Sequence, residues 1–196
     1  YTVGHSTQEL ESFLGLLRQH RIDAIADVRS GPYSQRFPWF NREQLNKALE
    51  RAGIKYVFLG EELGARRNEP CCYVGNRADY ELIAQSDLFK NGLERIRQGL
   101  ESMRVSLMCA EKDPLDCHRT VLVARHAQKF TEVDHIHIDG SIETHSELEA
   151  RMLSKMGMGD EDLFMSREDQ LALAYKRRGE EIAYKRDEAE GPDYEH

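Results

Sequence analysis

Five side chains that can do chemistry lie within one short stretch of the chain. They are two thiols, a carboxylate, an imidazole and a guanidinium, at Cys109, Glu111, Cys117, His118 and Arg119. Because the stretch separates two apolar runs, the pattern predicts a loop between a buried strand and a helix. With Asp116 as the N-cap, Cys117 would begin that helix, where unpaired N–H groups favour anions and lower the pKa of a thiol.

These residue types support more than one chemistry. Glu111 is suited to be a general acid/base or a nucleophile, or it only pairs with Arg119. Cys109 and Cys117 are candidate catalytic thiols. Because Cys109 ends an apolar strand, the alternative is that it is only a small residue of the hydrophobic core. Cys109, Cys117 and His118 are ligand types for a divalent metal, but they lack the short paired spacing of recognisable zinc sites.

The elements that must position these residues alternate between strands and helices. Apolar runs predict five strands, at residues 2–4, 22–28, 55–59, 105–109 and 134–138. Helical spacing predicts helices between them, the first starting at a Ser6–Glu9 capping box. Since parallel strands need a crossover, this order predicts an α/β fold: a Rossmann-like three-layer domain with a mainly parallel sheet of about five strands.

Polar residues follow the carboxyl ends of these strands, where open parallel sheets bind ligands. If the chain reverses direction around the first strand, the first and fourth strands become neighbours. His5 would then face Cys109 and Glu111, and we expect it to take part in catalysis. The candidate substrate-binding residues are polar and cationic side chains of the same loops: Ser6, Asp27, Arg29, Arg36, His118 and Arg119.

Composition limits the class of protein. The 196 residues suffice for one domain, and the net charge of −8 argues against extended binding to nucleic acid. No apolar run approaches the roughly 18 residues that would span a membrane. The vicinal Cys71 and Cys72 and the spaced Cys109 and Cys117 do not resemble a secreted disulfide framework, which favours the cytoplasm.

The last quarter of the sequence differs from the rest. After Gly140 the strand pattern ends, and apolar residues at helical spacing give way to a charged run. We therefore expect three parts: an α/β core domain at residues 1–140, a helical C-terminal extension packed on it at 141–186, and a disordered tail at 187–196.

Four spaced motifs stand out along the chain: Thr2–Thr7, Asp27–Arg29, Gly53–Tyr56 and above all Cys109–Arg119. In this order they resemble the bacterial and archaeal domain of unknown function 488 family, over about residues 1–140. The resemblance implies an α/β fold and marks the motif residues as the site. It implies no reaction, so the chemistry has to be inferred from the residues themselves.

We expect an enzyme, a hydrolase or group transferase, that acts on a small anionic, phosphorylated or nucleotide-like substrate. Catalysis would depend on Glu111, with His5 and Cys117 beside it. The arginine side chains would hold the anion. The alternative is that they only form structural ion pairs, such as one between Asp27 and Arg29. A reaction at a glycosidic carbon fits best, because it needs a carboxylate and no dedicated cofactor. Two alternatives stay open: a Cys/His metal-binding protein and a non-enzymatic nucleotide-sensing or interaction module.

Overall fold

A six-stranded sheet forms the centre of the molecule. The computed structural model describes residues 1–159 and 165–186. The sheet contains β1 (Thr2–Gly4), β2 (Ala24–Asp27), β3 (Lys55–Phe58), β6 (Val105–Cys109), β7 (Asp134–Ile136) and β8 (Ile142–Thr144), and a separate antiparallel pair contains β4 (Tyr73–Val74) and β5 (Arg77–Ala78). In the order β3-β2-β6-β1-β7-β8, the first five strands are parallel and β8 is antiparallel to β7.

Helices cover both faces of the sheet. They are α1 (Leu10–Gln19), α2 (Arg42–Arg51), α3 (Gly60–Leu63), α4 (Tyr80–Gln85), α5 (Asp87–Leu100), α6 (Arg125–Ala127), α7 (His145–Lys155) and α8 (Arg167–Ile182), with 3₁₀ turns at Pro38–Phe40, Pro70–Cys72 and Pro114–Asp116 and a π-helix at Arg119–Ala124. Residues of α1 and α2 pack on one face of the sheet, and residues of α4, α5, the π-helix, α7 and α8 pack on the other. The predicted Rossmann-like three-layer α/β fold is confirmed. None of the described helices is long and apolar enough to cross a membrane.

The strands predicted as first and fourth, β1 and β6, are neighbours in the sheet. Gly4 is paired with Cys109, and the N–H of His5 donates to the carbonyl oxygen of Cys109 at 3.0 Å. The adjacency considered from the sequence is therefore present, with β6 lying between β2 and β1 in the strand order. It brings the carboxyl ends of β1, β2 and β6 together at one edge of the sheet.

The turn after β1 differs from the prediction. The capping box predicted at Ser6–Glu9 is absent: α1 begins at Leu10, and its N-cap Glu9 makes no side-chain capping hydrogen bond. Ser6 instead has a left-handed backbone conformation, with φ of 48°, and its N–H donates to the carbonyl oxygen of Ala110 at 2.8 Å. This bond ties the turn after β1 to the loop after β6.

Residues 141–186 contain a strand as well as the expected helices. β8 extends the sheet, and a capping box of Thr144 and Glu147 then starts α7. α8 packs on α7 and on the π-helix, and a β-bridge joins Lys185 to Arg77 beyond it. The domain boundary at residue 140 stays a prediction, and the tail expected at 187–196 lies outside the described residues.

A chain of hydrogen bonds connects the sheet to α8. Thr2 Oγ1 lies 2.8 Å from His135 Nδ1, and His135 Nε2 lies 3.0 Å from His145 Nδ1. His145 Nε2 lies 2.8 Å from the Tyr175 hydroxyl, which donates to Glu149 at 2.9 Å. Because the hydroxyl already donates its hydrogen, His145 Nε2 donates to it, and every atom of this hydrogen-bond chain is satisfied when both imidazoles are neutral. Burial lowers the pKa of both histidines, which agrees with this assignment.

Candidate functional site

Arg119 fixes the loop that follows β6. Its side chain is fully buried, and its guanidinium donates to the carbonyl oxygens of Glu111 at 2.7 Å and Lys112 at 3.4 Å. Gly4 packs closely against the same loop: a Cβ added at Gly4 would lie only 1.9 Å from the Glu111 carbonyl oxygen. The Glu111 backbone is therefore clamped between β1 and the π-helix.

Asp116 does not cap the helix that follows it, contrary to the prediction. It ends the Pro114–Asp116 turn, and its exposed carboxylate pairs with Arg178. Cys117 is extended, with φ of −138° and ψ of 138°, and its sulfur accepts the N–H of Arg119 at 3.4 Å. The Pro114–Asp116 turn is closed by a hydrogen bond from the Asp116 N–H to the carbonyl oxygen of Asp113. The Cys117 sulfur, and not the Asp116 carboxylate, accepts an N–H at the start of the π-helix.

Cys117 is the thiol favoured to ionise. Burial opposes its ionisation, but the hydrogen bond with Cys109 and the charge of Arg119 outweigh burial and hold the pKa of Cys117 well below 9.0. Burial and the neighbouring Cys117 instead raise the pKa of Cys109 well above that value. Of the two thiols, Cys117 is therefore the better nucleophile or ligand.

Glu111 meets this thiol directly. The Cys117 Sγ donates to Glu111 Oε2 at 2.9 Å. Glu111 is an exposed residue, yet enough protein surrounds its carboxylate that lost hydration, followed by the nearby Cys117, raises its pKa above 4.5. The pair can share one proton, which is what a general acid/base needs.

His118 lies on the other side of the thiols. Its Nε2 is 2.9 Å from the carbonyl oxygen of Val28, so Nε2 donates there, and when the ring is neutral Nδ1 is an acceptor. Burial opposes protonation of this ring, but Cys117 and the Val28 carbonyl outweigh burial and raise the pKa of His118 above 6.5. Nδ1 lies 3.7 Å from the Cys109 sulfur. The ligand atoms of Cys109, Cys117 and His118 lie within 4.8 Å of one another and could hold a metal ion.

Arg29 is held in an ion pair with Asp27, the alternative that the sequence left open. Its Nε and Nη2 donate to the buried Asp27 carboxylate at 2.9 and 2.7 Å, Nη2 also donates to Phe40, and Nη1 donates to His5 at 3.2 Å. Burial, then the charge of Arg29, lowers the pKa of His5 to about 4. One of the five N–H groups of Arg29, on Nη1, is left without a partner among the described residues.

Two hollows meet at Glu111 and Arg29. The first, of about 500 Å³, is lined by residues that include Cys109, Cys117, His118, Tyr80, Arg66, Ile182 and Tyr184. The second, of about 420 Å³, is lined by residues that include His5, Ser6, Phe37 and Lys112. Arg29, Gly31, Tyr33, Ala110 and Glu111 line both. The hollows therefore form one groove along the carboxyl edge of the sheet.

The structure brings together seven of the ten residues predicted for the site. These seven line the first hollow, its neighbour or both: Cys109, Glu111, Cys117, His118, Arg29, His5 and Ser6. Asp27 lies behind Arg29, Arg119 supports the loop, and Arg36 is exposed beside the Phe37 ring. None of these last three lines either hollow.

Sequence reasoning missed the contribution of the C-terminal segment. Ile182 and Tyr184 line the first hollow, and the Arg66 guanidinium lies 4.6 Å from the centre of the Tyr184 ring. An Ala-Tyr-Lys-Arg repeat at 174–177 and 183–186 was the available signal. It marks two tyrosines as packing residues, but no local pattern predicts which of them reaches the hollow.

The fold and the site together define a Rossmann-like α/β protein with a thiol–carboxylate–imidazole cluster at the carboxyl edge of its sheet. The family model described as "Domain of unknown function DUF488" matches residues 9–126, more than half of the chain. The protein belongs to this family, as its motifs predicted. Neither a search of curated proteins nor a search of solved structures gave a match.

Proposed function

We propose that the protein is an enzyme, a hydrolase or group transferase, that acts on a small anionic, phosphorylated or nucleotide-like substrate. The observation that carries the proposal is the position of Glu111. Its carboxylate accepts a hydrogen bond from the Cys117 thiol at 2.9 Å and lies where the two hollows meet. A substrate that fills the groove would have its central bond next to this carboxylate.

Glu111 would act by proton transfer. Its raised pKa brings the carboxyl group closer to neutral pH, where it can give a proton to a leaving oxygen or nitrogen as the bond to the glycosidic carbon breaks. Water then supplies the group that replaces the leaving atom and loses its own proton to the Glu111 carboxylate. Cys117, hydrogen-bonded to Glu111, is the nearest group with which that proton can be exchanged.

The anion-binding role that the sequence gave to several arginines falls best on Arg66. Arg66 is exposed at the first hollow, lies on the Tyr184 ring, and has no acidic partner among the described residues. The charge of Arg29 is balanced by Asp27, which leaves Arg29 to orient a substrate through its free N–H. Lys112 provides a second cation, at the other hollow.

The size of the groove favours an enzyme or ligand-binding protein over a module that only contacts other proteins. If the ion pairs of the arginines filled the site, no ligand would fit. Arg29, held by Asp27 behind it, instead forms part of one wall of a hollow of about 500 Å³, within the range of small-molecule sites. Reactive groups in its lining, Glu111 and Cys117, favour chemistry over binding alone.

The proposal is tested by turnover. The wild-type protein, Glu111→Gln and Glu101→Gln are incubated with a panel of nucleoside monophosphates, nucleoside diphosphates and sugar phosphates, and products are separated by chromatography. Glu101 is an exposed carboxylate at the end of α5 and serves as the matched control. We expect the wild type and Glu101→Gln to consume the same compound at equal rates, and Glu111→Gln to be about 100- to 10,000-fold slower. Equal rates for all three proteins would exclude Glu111 from the reaction.

The anion-binding role has its own control. Arg66→Gln is expected to raise the KM for the consumed compound about tenfold or more, since a charge-assisted hydrogen bond is lost. Arg36→Gln, which removes an exposed arginine that lines neither hollow, is expected to leave KM unchanged. A raised KM in Arg36→Gln with an unchanged KM in Arg66→Gln would instead assign the anion-binding role to Arg36.

A further inference from the structure

The cluster of Cys109, Cys117 and His118 has dimensions suited to a metal ion. Two ligands of a tetrahedral zinc ion, a sulfur at about 2.3 Å and a nitrogen at about 2.0–2.1 Å, lie about 3.6 Å apart. The Cys109 sulfur and His118 Nδ1 are 3.7 Å apart, and all three ligand atoms lie within 4.8 Å of one another. The three atoms therefore surround a space of the right size without rearrangement of the backbone.

The orientation of the His118 ring supports the same reading independently. Its Nε2 donates to the backbone carbonyl of Val28 at 2.9 Å. Metal-binding histidines commonly donate their other ring nitrogen to such a carbonyl, which fixes the tautomer and the ring. In this protein that bond leaves the Nδ1 lone pair on the side of the two sulfurs.

The position of the cluster in the fold determines what kind of metal site it would be. All three side chains are almost completely buried, yet all three also line the first hollow. A structural zinc site is closed by four protein ligands, whereas three ligands beside a cavity leave the fourth position for water or substrate. Two thiolates and an imidazole prefer zinc or a similar borderline ion to magnesium or calcium.

We infer that Cys109, Cys117 and His118 form a Zn²⁺ site whose fourth coordination position opens into the first hollow, next to the Glu111 carboxylate. Glu111 Oε2 lies 2.9 Å from the Cys117 sulfur and would be the neighbouring carboxylate for a water molecule at that position. Zinc supplies a water of lowered pKa, near 7 in catalytic sites. Metal binding is measured directly, so the zinc site stands or falls separately from the proposed enzyme.

The first test is the metal content of the full chain, purified without chelator from cells grown with zinc. Elemental analysis is expected to give about one zinc ion per chain. Protein stripped with a chelator and titrated with Zn²⁺ against a chromophoric competitor should bind one ion. Binding should release protons into a weakly buffered solution, because a cysteine ligand must be deprotonated.

Ligand variants identify the residues. Cys109→Ser, Cys117→Ser and His118→Gln are each expected to weaken Zn²⁺ binding by about 100-fold or more, since even lost outer-sphere support costs 10- to 100-fold. Cys71→Ser, which removes the exposed loop thiol, is the matched control and is expected to bind as the wild type does. Glu111→Gln should also bind within a few-fold, which separates the zinc site from the proposed function.

The wild type alone decides the matter if a ligand variant fails to fold. Co²⁺ added to stripped wild-type protein is expected to give the intense visible bands of a tetrahedral site and a thiolate-to-metal band in the near ultraviolet. Less than about a tenth of an equivalent of zinc, together with no such bands, would overturn the inference. Loss of binding in Cys71→Ser equal to that in Cys117→Ser would overturn it as well.

Discussion

The Cys117 thiol donates to the Glu111 carboxylate at 2.9 Å because the surrounding backbone holds both residues in place. Arg119 and Gly4 fix the backbone of Glu111, and the sulfur of Cys117 accepts the N–H of Arg119 at the start of the π-helix. The contact between Cys117 and Glu111 thus depends on the residues that hold their backbone, Gly4 and Arg119. Substitutions in those supports should change the site as strongly as substitutions in the site itself.

Gly4→Ala tests the support from β1. The added Cβ would lie 1.9 Å from the Glu111 carbonyl oxygen, so the loop after β6 must move. Overpacking of this kind costs about 1–3 kcal/mol. We expect urea denaturation, followed by circular dichroism, to show a free energy of unfolding lower by that amount.

Gly15→Ala is the control for this prediction, because the same methyl group enters a place with room for it. No atom lies within 4 Å of a Cβ at Gly15, which is in α1. Alanine is the better helix former by up to about 1 kcal/mol, so this variant should be more stable than the wild type. Equal stability of the two alanine variants would show that Gly4 does not support the loop.

Asp27→Ala tests the ion pair behind the groove. Asp27 and Arg29 are almost fully buried, and Asp27 also accepts the Tyr56 hydroxyl at 2.8 Å. Removing one partner of a buried pair costs about 3–5 kcal/mol, because the other charge is left unpaired. Chemical denaturation should report a loss of this size.

The surface pair of Arg97 and Glu94 provides a comparison. These side chains are 62% and 51% exposed and 3.8 Å apart, so Glu94→Ala should cost about 0–1 kcal/mol. A cost for Asp27→Ala as small as this would mean that Arg29 is compensated by solvent. The charge of Arg29 would then be available to a ligand, and Arg29 would not be the charge-balanced wall of the groove that we propose.

The histidine chain predicts a loss of stability in acid. His135 and His145 are neutral in the fold and their pKa values are lowered by burial, whereas an unfolded histidine takes up a proton near pH 6.5. The unfolded state therefore binds more protons below pH 6.5, and the free energy of unfolding falls as the pH is lowered. Above pH 6.5 this contribution is fully present.

Urea denaturation at pH 7.5, 6.5 and 5.5 measures this dependence. In His145→Gln the loss between pH 7.5 and 5.5 should be smaller than in the wild type, though not zero, because His135, His5 and His126 have lowered pKa values too. The same substitution at His20, outside the hydrogen-bonded chain, is the matched control. A loss in His145→Gln as large as in the wild type would contradict the neutral assignment.

The sequence predicted the central strands of the sheet but not its edge strand β8. Residues 105–109 form a buried strand between two others, so all of them except Ser106 are apolar and the run is easy to recognise. β8 was not predicted, because Ile142–Thr144 is a short edge strand whose residues are exposed or half-buried. Edge strands need no apolar pattern, and composition therefore gives no signal for them.

The site was predicted by residue type but not by role. Asp116 is of a residue type typical of an N-cap, yet its carboxylate pairs with Arg178, and the Cys117 sulfur accepts the helix N–H. Arg119, predicted from the sequence to bind an anion, donates to backbone carbonyls in the fold. Tyr184 reaches the groove through tertiary packing alone, which a local sequence pattern does not encode.

The most direct test of the central claim separates binding from chemistry in Glu111→Gln. For the compound that the wild type consumes, calorimetry gives the Kd and single-turnover kinetics gives the rate of the chemical step. Because Glu111 is proposed to move a proton and not to hold the substrate, the Kd should stay within about threefold while the rate falls about 100- to 10,000-fold. An unchanged rate, or a loss found entirely in the Kd, would contradict the account.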